Sequence, residues 1–174
     1  MATSKKAVMG LVNTYGEAET VVADLLRVGF RRDDLSVLFP DVQSTREFAF
    51  AKQTKAPEGA ATGAGVGGAV GGTIGLLAGI GALAIPGLGP FIAAGPILAA
   101  LSGAAAGGVV GGLTGTLVGL GIPEIEAKKY EEHAKNGRIL IAVHTENDDE
   151  VSRAKRVLRR DDAKDIGTVR EVTR

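Results

Sequence analysis

Apolar residues recur with a regular period at both ends of the chain and predict two similar units. The first contains a strand at 8–12, a helix at 17–28 and a strand at 35–39; the apolar residues of its helix follow the three- and four-residue spacing of a single helix face. The second repeats this order, with a strand at 138–143, a helix at 149–158 and a strand at 166–172. Two such units in series predict an α+β fold, a ferredoxin-like split βαβ sandwich.

The middle of the chain has a different pattern, because residues 59–123 contain no Asp, Glu, Lys, Arg or His. This uncharged insert of 65 residues lies between the second and third predicted strands. In a ferredoxin-like fold those strands are neighbours, so the insert would leave and rejoin the domain at adjacent points. We therefore divide the chain into residues 1–57 (first half-domain plus stalk), 58–123 (insert) and 124–174 (stalk helix and second half-domain).

The insert contains a glycine-rich repeat. Residues 63–80 (GAGVGGAVGGTIGLLAGI) and 103–120 (GAAAGGVVGGLTGTLVGL) are identical at 10 of 18 positions, and a turn signal, IPGLGP, lies between them at 85–90. The glycines recur every four residues, which favours helices at 60–84 and 96–121, each with a glycine face opposite its aliphatic face. Such a glycine zipper lets another backbone approach closely. The residues expected to mediate self-association are Gly63, Gly67, Gly71, Gly75, Gly79, Gly103, Gly107, Gly111, Gly115 and Gly119.

Both predicted helices exceed the roughly 20 apolar residues that a membrane span requires. Lysines precede the hairpin at 52 and 55 and follow it at 128 and 129. The positive-inside rule then predicts a cytoplasmic (inner) membrane protein with both termini in the cytoplasm and membrane lipid as a partner. The alternative is a cytoplasmic assembly in which the hairpins are buried between subunits.

Composition and charge narrow the chemistry further. Lys plus Arg and Asp plus Glu both number 20, and basic residues stand beside acidic ones without interleaved aromatics, which argues against nucleic-acid binding. The chain has no cysteine, so thiolate nucleophiles and thiolate metal sites are excluded.

Few residues suggest a chemical site. Residues 63–68 match the dinucleotide pattern G-x-G-x-x-G, but no strand is predicted before them and no carboxylate follows at the required distance. His133 and His144 lie on separate elements and are expected at the surface. No grouping of nucleophile, base and orienting residue stands out. We therefore predict no catalytic, cofactor or metal residues, no small-molecule substrate and no enzyme activity.

Several segments resemble a family of bacterial general-stress and heat-induced membrane proteins that have no assigned biochemical role. The segments that carry the resemblance are 12–38, 54–62 (TKAPEGAAT), 85–90 (IPGLGP), 93–96 (AAGP) and 121–124 (GIPE), together with Ala127, Tyr130 and Glu131. The resemblance implies a stress-linked, membrane-associated protein, and it implies no reaction and no cofactor.

These observations predict a non-enzymatic, stress-associated membrane protein that forms homo-oligomers through its glycine-zipper hairpins. Two alternatives remain open at this point. One is a soluble self-assembling scaffold, and the other is a membrane pore or channel, for which a few Thr and Ser side chains would be the polar lining.

Overall fold

The computed structural model describes residues 5–40, 80–85, 89–97 and 112–171 of the chain. Within these ranges the six elements predicted for the two ends are confirmed, and their bounds differ from the prediction by at most two residues at either end. The elements in chain order are β1 (Lys6–Val12), α1 (Tyr15–Arg27), β2 (Leu35–Pro40), β3 (Ile80–Ile85), β4 (Gly89–Ala94), α2 (Gly112–Gly119), α3 (Glu124–Lys135), β5 (Ile139–Thr145), α4 (Asp148–Arg160) and β6 (Lys164–Arg170).

The strands form one six-stranded sheet in the order β3-β4-β2-β5-β1-β6, and every pair of neighbours is antiparallel. β1 lies between β5 and β6, and β2 lies between β5 and β4. The mixed α/β class expected from the sequence is therefore confirmed.

Helices cover both faces of the sheet. On the first face, α1 and α4 pack over alternate residues of the strands, among them Val8, Val37 and Ile141. On the second face, α2 and α3 pack over the intervening residues of the same strands, which include Met9, Leu38 and Leu140. Because successive strand residues point to opposite faces, a sheet buried on both sides needs apolar residues at consecutive positions. β1 and β5 meet this requirement, with nearly every residue buried.

Local sequence signals fix the helices of the first face. Thr14 accepts a hydrogen bond from the Glu17 backbone N–H while the Glu17 carboxylate accepts one from the Thr14 N–H, which is a capping box at the start of α1. Asn147 caps α4 in a similar way by accepting from the Glu150 N–H at 2.9 Å. Each cap lies just beyond the end of a strand, so it sets the point at which the chain turns back over the sheet.

The helix predicted at 60–84 is wrong over its last residues, because Ile80–Ile85 forms β3. β3 pairs with β4, and β4 pairs with β2. The chain reverses between Ile85 and Gly89, as the turn signal predicts, but it joins two strands rather than two helices. The physical reason is tertiary: β2 offers an open edge of backbone donors and acceptors, which β4 satisfies. Residues 60–79 of the predicted helix lie outside the described residues.

Of the helix predicted at 96–121, the structure describes Pro96, Ile97 and α2 as helical, whereas its last two residues, 120 and 121, form a turn. The next helix, α3, was predicted as a polar stalk. It packs on the second face of the sheet instead, with Ala127, Tyr130 and Ala134 buried. Among the described helices none has the length and apolar character needed to cross a membrane.

Candidate functional site

Two of the ten glycines predicted to mediate self-association, Gly115 and Gly119, lie in α2. They are four residues apart, so they share one face of the helix. Leu113 and Leu117 occupy the opposite face and are fully buried in the core. The predicted division of this helix into a glycine face and an aliphatic face is therefore confirmed for α2. The other eight glycines lie outside the described residues: Gly63, Gly67, Gly71, Gly75, Gly79, Gly103, Gly107 and Gly111.

The glycine face of α2 points away from the core. Gly115 is half-buried and Gly119 is exposed. A Cβ atom built on Gly119 meets no atom within 4 Å. The glycine at this position is therefore not required by packing within the described part of the chain.

Glu131 of α3 holds the first turn of α2. Its carboxylate accepts hydrogen bonds from the Thr114 backbone N–H, at 2.8 Å, and from the Thr114 hydroxyl. Lys135 forms an ion pair with the same carboxylate at 2.9 Å. Burial alone would raise the pKa of Glu131, but the Thr114 hydrogen bonds and Lys135 lower it below its usual value. An ionised carboxylate at a helix N-terminus is also favoured by the helix dipole.

A second candidate site is a chain of hydrogen bonds that joins three distant parts of the sequence. Ser36 Oγ lies 2.9 Å from His144 Nε2, and His144 Nδ1 contacts the Glu171 carboxylate. The order hydroxyl, imidazole and carboxylate is that of a serine hydrolase triad. This grouping cannot be predicted from the sequence, since the three residues are separated by 108 and 27 positions and no local motif connects them.

In the geometry of this structure, Ser36 acts as a structural link. The residue is fully buried, and its Oγ also accepts the Ile97 backbone N–H at 3.1 Å. Ser36 can accept from Ile97 while it donates to His144, so its only donor hydrogen serves the fold. The chain from Ser36 to Glu171 therefore ties the insert at Ile97 to β2, to β5 and to the C-terminal end of β6.

The same junction depends on Gly95. This residue has φ +79°, and a Cβ built on it would lie 1.9 Å from the Leu35 carbonyl oxygen. No side chain fits there, so only glycine lets the chain leave β4 and cross the start of β2. Gly95 and the Ser36 hydroxyl together fix where the insert leaves the sheet.

A cavity of about 410 Å³, with several charged residues in its lining, opens beside His144. Arg31 and Asp34 form an ion pair at its wall, with 3.1 Å between the guanidinium and the carboxylate. Burial would raise the pKa of Asp34, but Arg31 and, to a smaller extent, His144 lower it. The lining mixes both signs of charge: Lys5, Arg31, Asp33, Asp34, Glu146 and Glu171. In the described ranges no group of three or more His, Cys, Asp or Glu residues is arranged to hold a metal ion.

Asp165 is the centre of an ion cluster on the second face. Lys129, His133 and Arg138 surround its carboxylate, with His133 at 3.4 Å and Arg138 at 3.7 Å. The Lys129 hydrogen bond is the main reason that the pKa of Asp165 is lowered. His133 was expected at the surface, but its side chain is only 22% exposed, and that of His144 is 19% exposed. Both histidines are therefore parts of hydrogen-bonded or ionic clusters.

No protein-family model, curated protein or solved structure matches this chain. The resemblance to bacterial stress proteins noted from the sequence therefore stays a prediction.

Proposed function

We propose that this protein is a non-enzymatic, self-assembling protein whose copies associate through the glycine faces of the insert. The observation that carries the proposal is Gly119 in α2. It is exposed, no atom of the described residues lies within 4 Å of a Cβ built on it, and it lies on the face opposite Leu113 and Leu117. A glycine that packing among the described residues does not explain is accounted for by the close approach of another backbone.

We further propose that the domain carrying the insert is ferredoxin-like. The order β2-β5-β1-β6 and the antiparallel pairing of these four strands support it. The position of α1 and α4 on one face supports it as well. In this interpretation β3, β4, α2 and α3 are additions that extend the sheet at one edge and cover its second face.

Gly119→Leu tests the self-assembly. Because no atom of the described residues lies within 4 Å of the added Cβ, this part of the chain should fold unchanged. Replacing a helical glycine should even stabilise α2 slightly, by up to about 1 kcal/mol. The bulky side chain should nevertheless prevent close approach and reduce the oligomer, as measured by size-exclusion chromatography with light scattering.

The matched control is Val118→Leu, which enlarges the neighbouring exposed side chain without filling the glycine face. We expect this variant to keep the oligomeric state of the wild type. A wild-type protein that stays monomeric at all concentrations would end the proposal. A Gly119→Leu variant that assembles like the wild type would exclude this glycine from the contact.

The second candidate function is association with a membrane, in keeping with the stress-protein resemblance. It is favoured by Ile125, 85% exposed, and Val118, 43% exposed, the large hydrophobic residues that the described ranges leave most accessible. Against a full span by the second predicted helix, Leu113 and Leu117 are already buried under the sheet. We therefore place the membrane candidate after protein–protein assembly.

Alkaline carbonate washing of membranes from cells expressing the chain separates the two candidates. Retention in the washed membranes, reduced by Ile125→Asn, would favour lipid contact and the membrane location. Recovery of the wild type as a large particle without detergent would favour the protein assembly. Ion flux through liposomes holding the purified protein would favour a pore.

A further inference from the structure

The two edges of the sheet differ in how they resist pairing with another strand. At one edge, β6 carries Lys164, Asp165 and Arg170, and its pairing with β1 shifts register between Met9 and Leu11. Charges and irregular pairing are the usual features that protect an edge strand. At the other edge, β3 reads IGALAI, with no charge and no proline. Within the described residues no strand pairs with its outer side.

Two prolines indicate which backbone groups of β3 point outward. In an antiparallel pair, residues alternate between exchanging hydrogen bonds with the partner and pointing away from it. Proline has no N–H to exchange, so Ala84↔Pro90 and Pro40↔Phe91 are assigned as pairs that do not exchange hydrogen bonds. The two assignments are consistent, because Phe91 then exchanges backbone hydrogen bonds with Leu83 of β3 and none with Pro40 of β2. By alternation, the outward residues of β3 are Ile80, Ala82 and Ala84.

We propose that β3 pairs antiparallel with β3 of a second copy, about a two-fold axis that passes beside Ala82. In this register Ala82 faces Ala82 of the other copy, and Ile80 faces Ala84 in both directions. All three outward residues then exchange hydrogen bonds, and the two sheets become one continuous sheet.

The occupant is a second copy for three physical reasons. Backbone donors and acceptors that no strand of the described residues pairs with are satisfied by another strand and not by a helix. An uncharged strand pairs with itself without like charges facing each other, whereas β6 would bring charged residues together. Finally, the outward residues Ile80, Ala82 and Ala84 are placed symmetrically about Ala82, so one strand can supply both sides of an antiparallel contact. The inference rests on the proposed self-assembly, but it names a contact different from the glycine faces.

Cysteine cross-linking tests the register directly, because the chain has no natural cysteine. Residues facing each other in a hydrogen-bonded pair have Cα atoms about 5.5 Å apart, which a disulfide can span. Ala82→Cys should therefore form a covalent dimer under mild oxidation. Leu83→Cys is the matched control, because in this register the two copies of residue 83 are diagonal neighbours, about 7–8 Å apart, and should cross-link poorly.

Introducing a charge at residue 82 provides a second test, and these substitutions keep the backbone N–H. Ala82→Lys and Ala82→Glu should each weaken dimer formation by about tenfold, because like charges then face each other across the axis. Mixing the two variants should restore the dimer, since Lys then faces Glu. Far-UV circular dichroism and thermal melting confirm that each variant folds. Rescue by mixing also shows that a loss of association does not come from misfolding.

The outcomes separate this contact from the proposed function. If the wild type is an oligomer but Ala82→Cys does not cross-link and the charged variants associate normally, the edge contact is wrong and the self-assembly stands. The same result is expected if another segment of the same chain covers β3. If Gly119→Leu has no effect while the residue 82 variants dissociate, the edge contact stands and the glycine contact is wrong. A wild type that is monomeric throughout overturns both.

Discussion

The two faces of the sheet have cores of different origin. Among the described residues, the core of the first face comes from the two ends of the chain, with its buried residues between Val8 and Phe39 or between Ile139 and Ala163. The core of the second face is shared with the insert, which contributes Phe91, Ala93, Ile97, Leu113, Leu117 and Ile122. The first core can therefore form without the insert, whereas the second needs it. We expect the two faces to respond differently to substitution.

The largest effect is expected on the first face, from Leu25→Ala. Leu25 is fully buried in α1, and removing its side chain leaves a cavity in the core that both ends of the chain build. We expect the free energy of unfolding to fall by about 2–5 kcal/mol. Urea denaturation followed by circular dichroism measures this change. A loss below about 1 kcal/mol would show that this core relaxes more easily than its burial indicates.

A close contact on the second face gives the next largest effect. A Cβ built on Gly167 of β6 would lie 2.9 Å from the Tyr130 hydroxyl oxygen. Gly167→Ala should therefore destabilise the protein by about 1–3 kcal/mol, as overpacking does. Because the clash involves the hydroxyl, Tyr130→Phe should recover part of this loss in a double-mutant cycle. Gly16→Ala, whose Cβ meets no atom within 4 Å, is the control and should not destabilise the protein.

Leu117→Ala tests how independent the second face is. Leu117 is as buried as Leu25, but it lies in an eight-residue helix that contains three glycines. Such a helix can open locally at low cost. We expect the global free energy of unfolding to fall by only about 1–2 kcal/mol. Hydrogen exchange should show lost protection in α2 and unchanged protection in α1. Equal loss in both helices would mean that the two faces unfold as one unit.

The smallest effect on stability is expected at acid pH, where the Glu131 carboxylate becomes protonated. A carboxylate with a lowered pKa stabilises the folded state fully above its ordinary value of about 4.3, and this stabilisation is lost as the pH falls through the folded value. The protection of the α2 amides against hydrogen exchange should therefore decrease below about pH 4. Glu131→Gln should remove this pH dependence at a cost of about 1 kcal/mol at neutral pH. Asp165→Asn is the control, since it removes another carboxylate of lowered pKa that does not contact α2.

Regular periodicity explains how much of the fold the sequence predicts. The elements at the two ends have clear apolar periods and local caps such as Thr14 and Asn147, and all of them are confirmed. In the insert, glycine and alanine dominate, and a segment such as IGALAI fits a strand and a helix equally well. Whether this segment forms a strand or a helix depends on pairing with the sheet, because β4 pairs with the edge of β2 and β3 pairs with β4. For this reason β3 was predicted as a helix.

The candidate sites likewise divide into features set by local spacing and contacts between distant parts of the sequence. The glycine and leucine faces of α2 follow from spacing along a single helix, so they could be predicted. The contacts between Ser36, His144 and Glu171, and those around Asp165, join elements that are far apart in the sequence. No spacing rule connects such residues before the sheet order is known.

The position of β1 also affects the order in which a newly made chain can fold. β1 is complete at Val12, yet both strands that pair with it come from the last quarter of the chain: Lys6 pairs with Thr145 of β5 and with Arg170 of β6. At typical synthesis rates, the ribosome needs about 7–30 s to add the intervening residues. During that time β1 has neither of its partners, and of the two partners of β2 only β4, which belongs to the insert, has been made. A bound chaperone during synthesis would shield these strands at the stage when they are most exposed to aggregation.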